Sequence, residues 1–321
     1  MIFEDLPTTP RSEELLDKAF SRAARAGRAK SGVDAQQSML QTSSNVLSDN
    51  LENVVTAWPD FDEVDPFYRE LADAVVGVDE ARTHLSEVAW ASRKTKSLGR
   101  EYIGRLPRDD AETARKLRKQ AFARMGSVMD EIEGDLQFLN EARDGLKTFP
   151  DVRPDEPAIV VAGYPNVGKS SFVNDVTSAR NEIAQYPFTT KAVRVGHVTR
   201  DHVRYQLVDT PGLLDRPAEE RNAIESQAVS ALTHLADAVL FVVDASATCG
   251  YPLDAQLALR DDVRATFDED VGFLTVCNKS DLSTDVDADA YMSVETGENV
   301  EGVLDAAVDA TGYEPELPIR D

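Results

Sequence analysis

Gly163, Gly168, Lys169 and Ser170 stand in the spacing GxxxxGKS (GYPNVGKS), directly after the β-branched run AIVVA at 158–162. A glycine-rich turn between a strand and a helix aims backbone N–H groups and the positive end of a helix dipole at an anion, so this spacing predicts a phosphate cradle. The N–H groups of the loop, with Asn166, Val167 and Ser171 in its reach, would wrap the phosphates. Lys169 would meet the β and γ oxygens, and the Ser170 hydroxyl would ligate Mg2+.

Three further segments follow in the order such a site requires. VRYQLVDTPG is an alternating strand ending in Asp209 and Gly212, a carboxylate for magnesium and an N–H for the γ-phosphate. AVLFVVDAS is a continuous apolar run, and GFLTVCNKSD closes the next strand with Asn278, Lys279 and Asp281. A carboxylate at Asp281 can accept from N1–H and N2–H₂ of guanine, which adenine lacks, so the expected ligands are GTP and GDP. Ser293, after Tyr291 and Met292, suits the loop that closes over guanine O6, with the Val294 N–H as donor. Between the first helix and second strand of this half lies YPFTTK. There Thr190, or failing it Thr189, would close on magnesium and the γ-phosphate in an order-disorder switch.

These motifs need a parallel sheet with helices on its faces, and residues 158–321 are assigned to it as a P-loop GTPase domain. The N-terminal residues 1–149 read instead as helices forming a bundle, giving an α plus α/β fold class. Thr9-Pro10 would start a first helix with Leu15, Ala19, Phe20 and Ala23 on one face. A second would span about 34–57, a third about 65–98, and a fourth, from Pro107, keeps helical spacing from Leu117 to Leu139 despite Gly126 and Gly134. The stretch 150–157, with Pro150, Pro154 and Pro157, reads as a stiff linker.

The chain has 321 residues, 34 basic and 58 acidic, for a net charge of −24. Residues 1–150 hold 21 basic and 27 acidic residues, and 151–321 hold 13 and 31, so the surplus is spread over a surface and is no tail. A cytosol of very high salt explains this best, since the Debye length falls to about 3 Å near 1 M and self-repulsion is screened. A halophilic source is therefore expected. Cys249 and Cys277 offer no ligand spacing and read as buried thiols in a reducing compartment. The N-terminus carries acids where a signal peptide needs bases, and no apolar run is long enough to cross a bilayer, so a cytoplasmic protein is expected.

Two stretches run against the acidic trend. Lys18 to Lys30 holds five basic residues and no acid, and Arg93 to Lys119 holds ten basic residues and four acids. A solvated helix face is the bland explanation. In so acidic a chain a polyanion such as RNA is the better one.

GYPNVGKS, YPFTT, DTPGLLDR and NKSD together resemble the Obg-related GTPases. The phrase HLADAVLFVVDASATCGYPLDAQ and the opening MIFEDLPTTPRSEELLDKAF resemble the nucleolar GTP-binding protein family in its archaeal form. The resemblance covers nearly the whole chain and implies a helical domain followed by a GTPase domain, acting in large ribosomal subunit maturation with ribosomal RNA as partner. It implies no membrane or DNA partner, and the chain is expected to be a monomer. Eukaryotic relatives carry a long C-terminal extension, and with Asp321 following almost directly on the last GTPase helix, functions tied to that extension are not expected here.

Where Ras-like enzymes carry a water-orienting glutamine this chain has Leu213, so slow intrinsic hydrolysis is expected. Arg216 is nearby but reads as a surface residue rather than an arginine finger. Asn166, at the fourth position of the phosphate loop, goes in related GTPases with a monovalent cation beside the phosphates. A K+ ion there would place positive charge on the bridging oxygen in the transition state; a turn cap is the alternative role for Asn166. The expected catalytic set is Lys169, Thr190, Gly212 and Asn166, in a potassium- and ribosome-stimulated GTPase. A protein with a static bound nucleotide and a signalling GTPase that binds proteins through its bundle are the competing functions.

Overall fold

The computed structural model describes residues 2–149, 152–177, 182–184 and 193–314. They form two compact units, one of Ile2–Glu63 with Val76–Lys147 and one of Val64–Val75 with Thr148–Asp321.

The first unit is helical. Helix α1 (Ser12–Arg28) begins two residues beyond Thr9-Pro10, because the Glu14 carboxylate accepts the Arg11 N–H at 3.0 Å and satisfies the first turn from inside. It buries Leu15, Ala19 and Ala23 as its spacing predicts, and half-buried Phe20 stacks on Phe122 at 4.4 Å. Helix α2 (Gly32–Thr56) runs antiparallel to it, with Lys18 bonded to Asn50 at one end and Gly27 against Met39 at the other.

The expected third helix is two. Gly77, at φ +68, leaves the helical region and separates α3 (Pro66–Val76) from α4 (Val78–Gly104). Most of α3 belongs to the second unit, not to the bundle: Phe67 and Leu71 are fully buried, the Tyr68 hydroxyl donates to the Val152 carbonyl, and Gln227 Nε2 donates to Asp73 at 3.4 Å. The expected fourth helix is also two, α5 (Ala111–Glu131) and α6 (Glu133–Leu146), broken at buried Ile132 with φ −99 and ψ 11. Spacing of apolar residues persists through a kink, so periodicity alone could not show it. Asp110 caps α5 by accepting the Glu112 and Thr113 N–H groups at 3.0 Å.

Between α2 and α4 the contact is made of small residues, Ser44, Ser48, Ser92 and Gly99. The serine hydroxyls donate to helix carbonyls, for example Ser92 to Ser48 O at 3.0 Å, so they are buried without loss. A Cβ on Gly99 would lie 2.3 Å from Ser44 Oγ.

In the second unit a seven-stranded sheet has the order β2-β3-β4-β1-β5-β6-β7. The strands are β1 (Ala158–Ala162), β2 (Glu182–Ala184), β3 (Val193–Arg200), β4 (Val203–Asp209), β5 (Ala238–Asp244), β6 (Gly272–Asn278) and β7 (Ala290–Tyr291). From β4 to β7 all pairings are parallel, while β2-β3-β4 is antiparallel, so the expected helical part followed by a mainly parallel sheet is what the chain forms. Every residue of β1 and β5 is buried, as expected of strands covered on both faces by α7 (Lys169–Val176), α8 (Ala223–Leu235), α9 (Leu253–Arg264) and α10 (Val300–Ala310).

The described part of the proline-rich stretch is no free tether. Fully buried Gln206 of β4 accepts the Arg153 N–H at 2.8 Å and donates to the carbonyls of Arg153 and Glu156 at 2.7 and 3.1 Å. Val152 is buried as well. Among the described residues no helix is long and apolar enough to cross a membrane.

Candidate functional site

Parallel pairing brings the C-terminal ends of β1, β4, β5 and β6 to one edge, the usual place for a ligand in such sheets. The register sets Val161 beside Asp209 and Asp244 beside Asn278. Around that edge stand the phosphate loop, the DTPG turn and the NKSD loop.

The phosphate loop needs its glycines. Gly163 has φ +129, and a Cβ there would meet the Val242 carbonyl at 2.3 Å. Gly168 has φ +107, and a Cβ would lie 2.1 Å from Asn278 Nδ2. Lys169 is buried at the first turn of α7, its Nζ donating to the Gly163 and Tyr164 carbonyls at 2.6 and 3.0 Å. Ser170 donates its hydroxyl to Asp209 Oδ2, whereas Ser171 is exposed one residue on. Asn166 is exposed, at φ +65, and with Pro165, Lys169, Ser170, Arg194, Pro211 and Asp215 it lines the cleft above the loop.

Asp209 is fully buried, and its Oδ1 has no hydrogen-bond partner among the described residues. Burial pushes its carboxyl up, against the pull of the Ser170 hydroxyl and of Lys169. A carboxylate oxygen so placed beside a serine hydroxyl is what a hard divalent cation takes, so Ser170 and Asp209 fit Mg2+. Thr189 and Thr190 lie outside the described residues.

Asn278 serves as a brace. Its Nδ2 donates to the Val167 carbonyl at 2.8 Å and its Oδ1 accepts the Val294 N–H at 3.1 Å, so one side chain ties the phosphate loop to the base loop. That N–H is therefore engaged here and is not presented to a base as expected. Buried Ser293 shapes the base loop through its hydroxyl, which accepts the Thr296 N–H at 3.2 Å. Lys279, at φ +58, reaches Asp244 at 2.7 Å and the Thr248 hydroxyl at 2.9 Å. Asp281 is exposed and makes no hydrogen bond to the described residues.

Sequence reading passed over Asp244. Burial raises its carboxyl, but Lys279, the Ser246 and Thr248 hydroxyls and the Cys249 N–H outweigh that and hold it at about 2. An acid ending an otherwise apolar strand was the available signal. Gln256, also passed over, bonds the N–H and carbonyl of Asp244 at 2.8 and 3.1 Å. Cys249 and Cys277 are buried free thiols, as expected.

In the DTPG turn Leu213 is fully buried and can hold no water. The Gly212 N–H, expected toward the γ-phosphate, donates to Asp215 Oδ2 at 2.9 Å. Arg216 is not an idle surface residue: it donates to the Gly212 carbonyl at 3.0 Å and pairs with Glu225 at 2.6 Å.

In the helical unit the C-terminal part of the first basic stretch and the α5 part of the second meet at one end of the bundle, while Lys18 lies toward the other end beside Asn50. Arg118 of α5 bonds Gln36 of α2 at 2.8 Å, and Phe20 of α1 stacks on Phe122 of α5, so the C-terminal turns of α1 lie beside the start of α5. The end of α4 joins them, where Arg124 lies over the Tyr102 ring at 5.9 Å. Lys18, Arg22, Arg25, Arg28, Lys30, Arg100, Arg105, Arg115 and Lys119 are all exposed. Arg118 is half-buried, its guanidinium 4.9 Å over Phe122, so it is partly structural.

Residues 3–153 match the family model described as NOG1 N-terminal helical domain, and 158–279 the model described as 50S ribosome-binding GTPase. MJ1408 of Methanocaldococcus jannaschii, an uncharacterised protein, is 36% identical over 290 residues, covering 87% of this chain and 81% of its own length. Nucleolar GTP-binding protein 1 of Saccharomyces cerevisiae is 29% identical over 312 residues, covering 94% of this chain. The chain spans about half the length of that relative, 48%, and 37% of the Drosophila melanogaster one. The crystal structure of a Plasmodium falciparum nucleolar GTP-binding protein 1 is 31% identical over 51% of this chain and 90% of its own, with a TM-score of 0.46.

Proposed function

Because the chain belongs to the NOG1 family of GTP-binding proteins, we propose that it is a GTP-driven switch in large ribosomal subunit assembly that docks on ribosomal RNA through its helical unit. One observation carries the nucleotide part of this reading. Around the cleft stand a buried lysine, a serine hydroxyl on a half-satisfied buried carboxylate, and an asparagine tying the phosphate loop to the base loop.

In this reading Lys169 leaves the Gly163 and Tyr164 carbonyls for the β and γ oxygens, and the N–H groups from Asn166 to Ser171 hold the phosphates. Ser170, Asp209 and Thr190 hold Mg2+, which supplies charge neutralisation at the transferring phosphoryl group. Asp281 reads guanine, with Asp244 aiming Lys279 beside it. Val294 exchanges its bond to Asn278 for guanine O6 when the base enters. Buried Leu213 leaves the attacking water unpositioned, which supports slow intrinsic turnover.

Asn166 has a carboxamide that makes no hydrogen bond to the described residues, and it lines the cleft. We read it as a ligand of K+, and the acidic surface as that of a protein working in molar salt. Turnover then rises in KCl over NaCl at equal ionic strength, and Asn166→Ala abolishes the difference. Equal rates in the two salts remove the cation.

RNA docking is supported by the convergence of basic residues at one end of the bundle in a chain of charge −24. At high salt counterion release contributes little, so arginine-phosphate geometry must dominate. Charge reversal at Arg22, Arg25 and Arg115, all exposed, is expected to weaken association with large-subunit precursors at least about tenfold, a loss of two or three charge-assisted contacts. Association undiminished by all three changes would exclude the bundle as the docking element.

A further inference from the structure

We propose that Asp215 is a positioning residue that makes this site distinguish GTP from GDP, by holding the Gly212 N–H until a γ-phosphate displaces its carboxylate. The inference rests on reading the cleft above Lys169 and Ser170 as the phosphate site.

Gly212 is fixed from both sides. Its N–H donates to Asp215 Oδ2 at 2.9 Å, and its carbonyl accepts from Arg216 at 3.0 Å. Arg216 is in turn set by Glu225 at 2.6 Å, and Glu225 by reciprocal bonds with Asn222 at 2.9 Å, which cap α8. The turn between is anchored by buried Leu213 and Leu214, and the Leu214 carbonyl accepts the Gly163 N–H of the phosphate loop at 3.1 Å. Asp215 therefore sits at a fixed distance from the loop, almost wholly buried at 6% exposure, and it lines the same cleft as Lys169, Ser170 and Arg194.

A γ-phosphate approaching Gly212 meets a carboxylate already bonded to the donor it needs. Two anions brought to one N–H repel each other, so the carboxylate must leave before the phosphate binds. GDP makes no such demand. The free energy of opening the Asp215 bond is thus subtracted from GTP affinity and not from GDP affinity, which biases the resting protein toward the GDP form. Opening also releases one of the two ties on Gly212, while the Arg216-Glu225 pair continues into α8.

The test measures affinity for GDP and for guanylyl imidodiphosphate, a GTP analogue with a non-hydrolysable β–γ bridge, in the full chain and in Asp215→Asn and Asp215→Ala. GDP reports on the site without the γ-phosphate. The ratio of analogue to GDP affinity is expected to rise roughly 10- to 100-fold in both variants, the span of one charge-assisted hydrogen bond. An unchanged or lower ratio overturns the proposal. Should both variants fail to bind either nucleotide, a crystal structure of the wild-type chain with the analogue decides. Asp215 away from Gly212 N supports the proposal, and Asp215 still bonded to it overturns it. Failure of the wild-type chain to bind GDP would instead overturn the assignment of the site.

Discussion

Asp281→Asn is expected to turn the site from guanine toward xanthine nucleotides. Asp281 is exposed in the turn three residues after β6 and makes no hydrogen bond to the described residues, so its two acceptor oxygens are available to the base edge. An amide offers one acceptor and one donor, and the donor faces an N–H₂ of guanine but a carbonyl of xanthine. The lost charge-assisted contact is worth about 1.5–3 kcal/mol, so GTP affinity falls roughly 10- to 100-fold while XTP affinity rises. Calorimetric titration with both nucleotides measures it. A variant that still prefers GTP would show that base recognition lies elsewhere.

Gly168→Ala is expected to disable nucleotide binding although it removes no N–H or side-chain group from the phosphate loop. The residue holds φ +107, where a side chain is strained, and its Cβ would stand 2.1 Å from Asn278 Nδ2, the atom that donates to Val167 O. Asn278 must then swing away, taking its acceptor from the Val294 N–H. Strain and one unsatisfied buried group together cost about 2–4 kcal/mol, a roughly 30- to 1000-fold loss of GDP affinity. Gly126→Ala is the reference: it lies within α5, where an added Cβ meets nothing within 4 Å, and GDP affinity should not move. Undiminished affinity in a folded Gly168→Ala protein would mean the loop adopts another conformation when loaded.

Much of the site was legible because its groups recur at short, fixed spacing. A phosphate cradle needs glycines at the positions of Gly163 and Gly168 and a lysine on the first helical turn, and those demands fall within eight consecutive residues. The bundle was legible only in part. Apolar spacing announced helical faces from Leu15 to Leu139, yet it carried through the break at Ile132, where a kinked pair of helices keeps its apolar stripe toward one core, and through the break at Gly77, where α3 and α4 turn equally apolar faces to two different units.

By itself the amino-acid order determined the strand, turn and helix sequence of the nucleotide half, the candidate groups for phosphate and base, and the presence of two basic stretches in an acidic chain. These are local quantities, set by residue type, spacing and charge. Tertiary structure alone decided that most of α3 joins the nucleotide-binding unit, that Gln206 fastens residues 153–157 to β4, and that the C-terminal turns of α1 lie beside the basic start of α5. It also decided that Asp244 aims Lys279 and that Asp215 occupies the Gly212 N–H. The reason is physical. A buried polar group must find its partner wherever the packed chain brings one within about 3 Å, and Lys279 and Gln206 find theirs dozens of residues away.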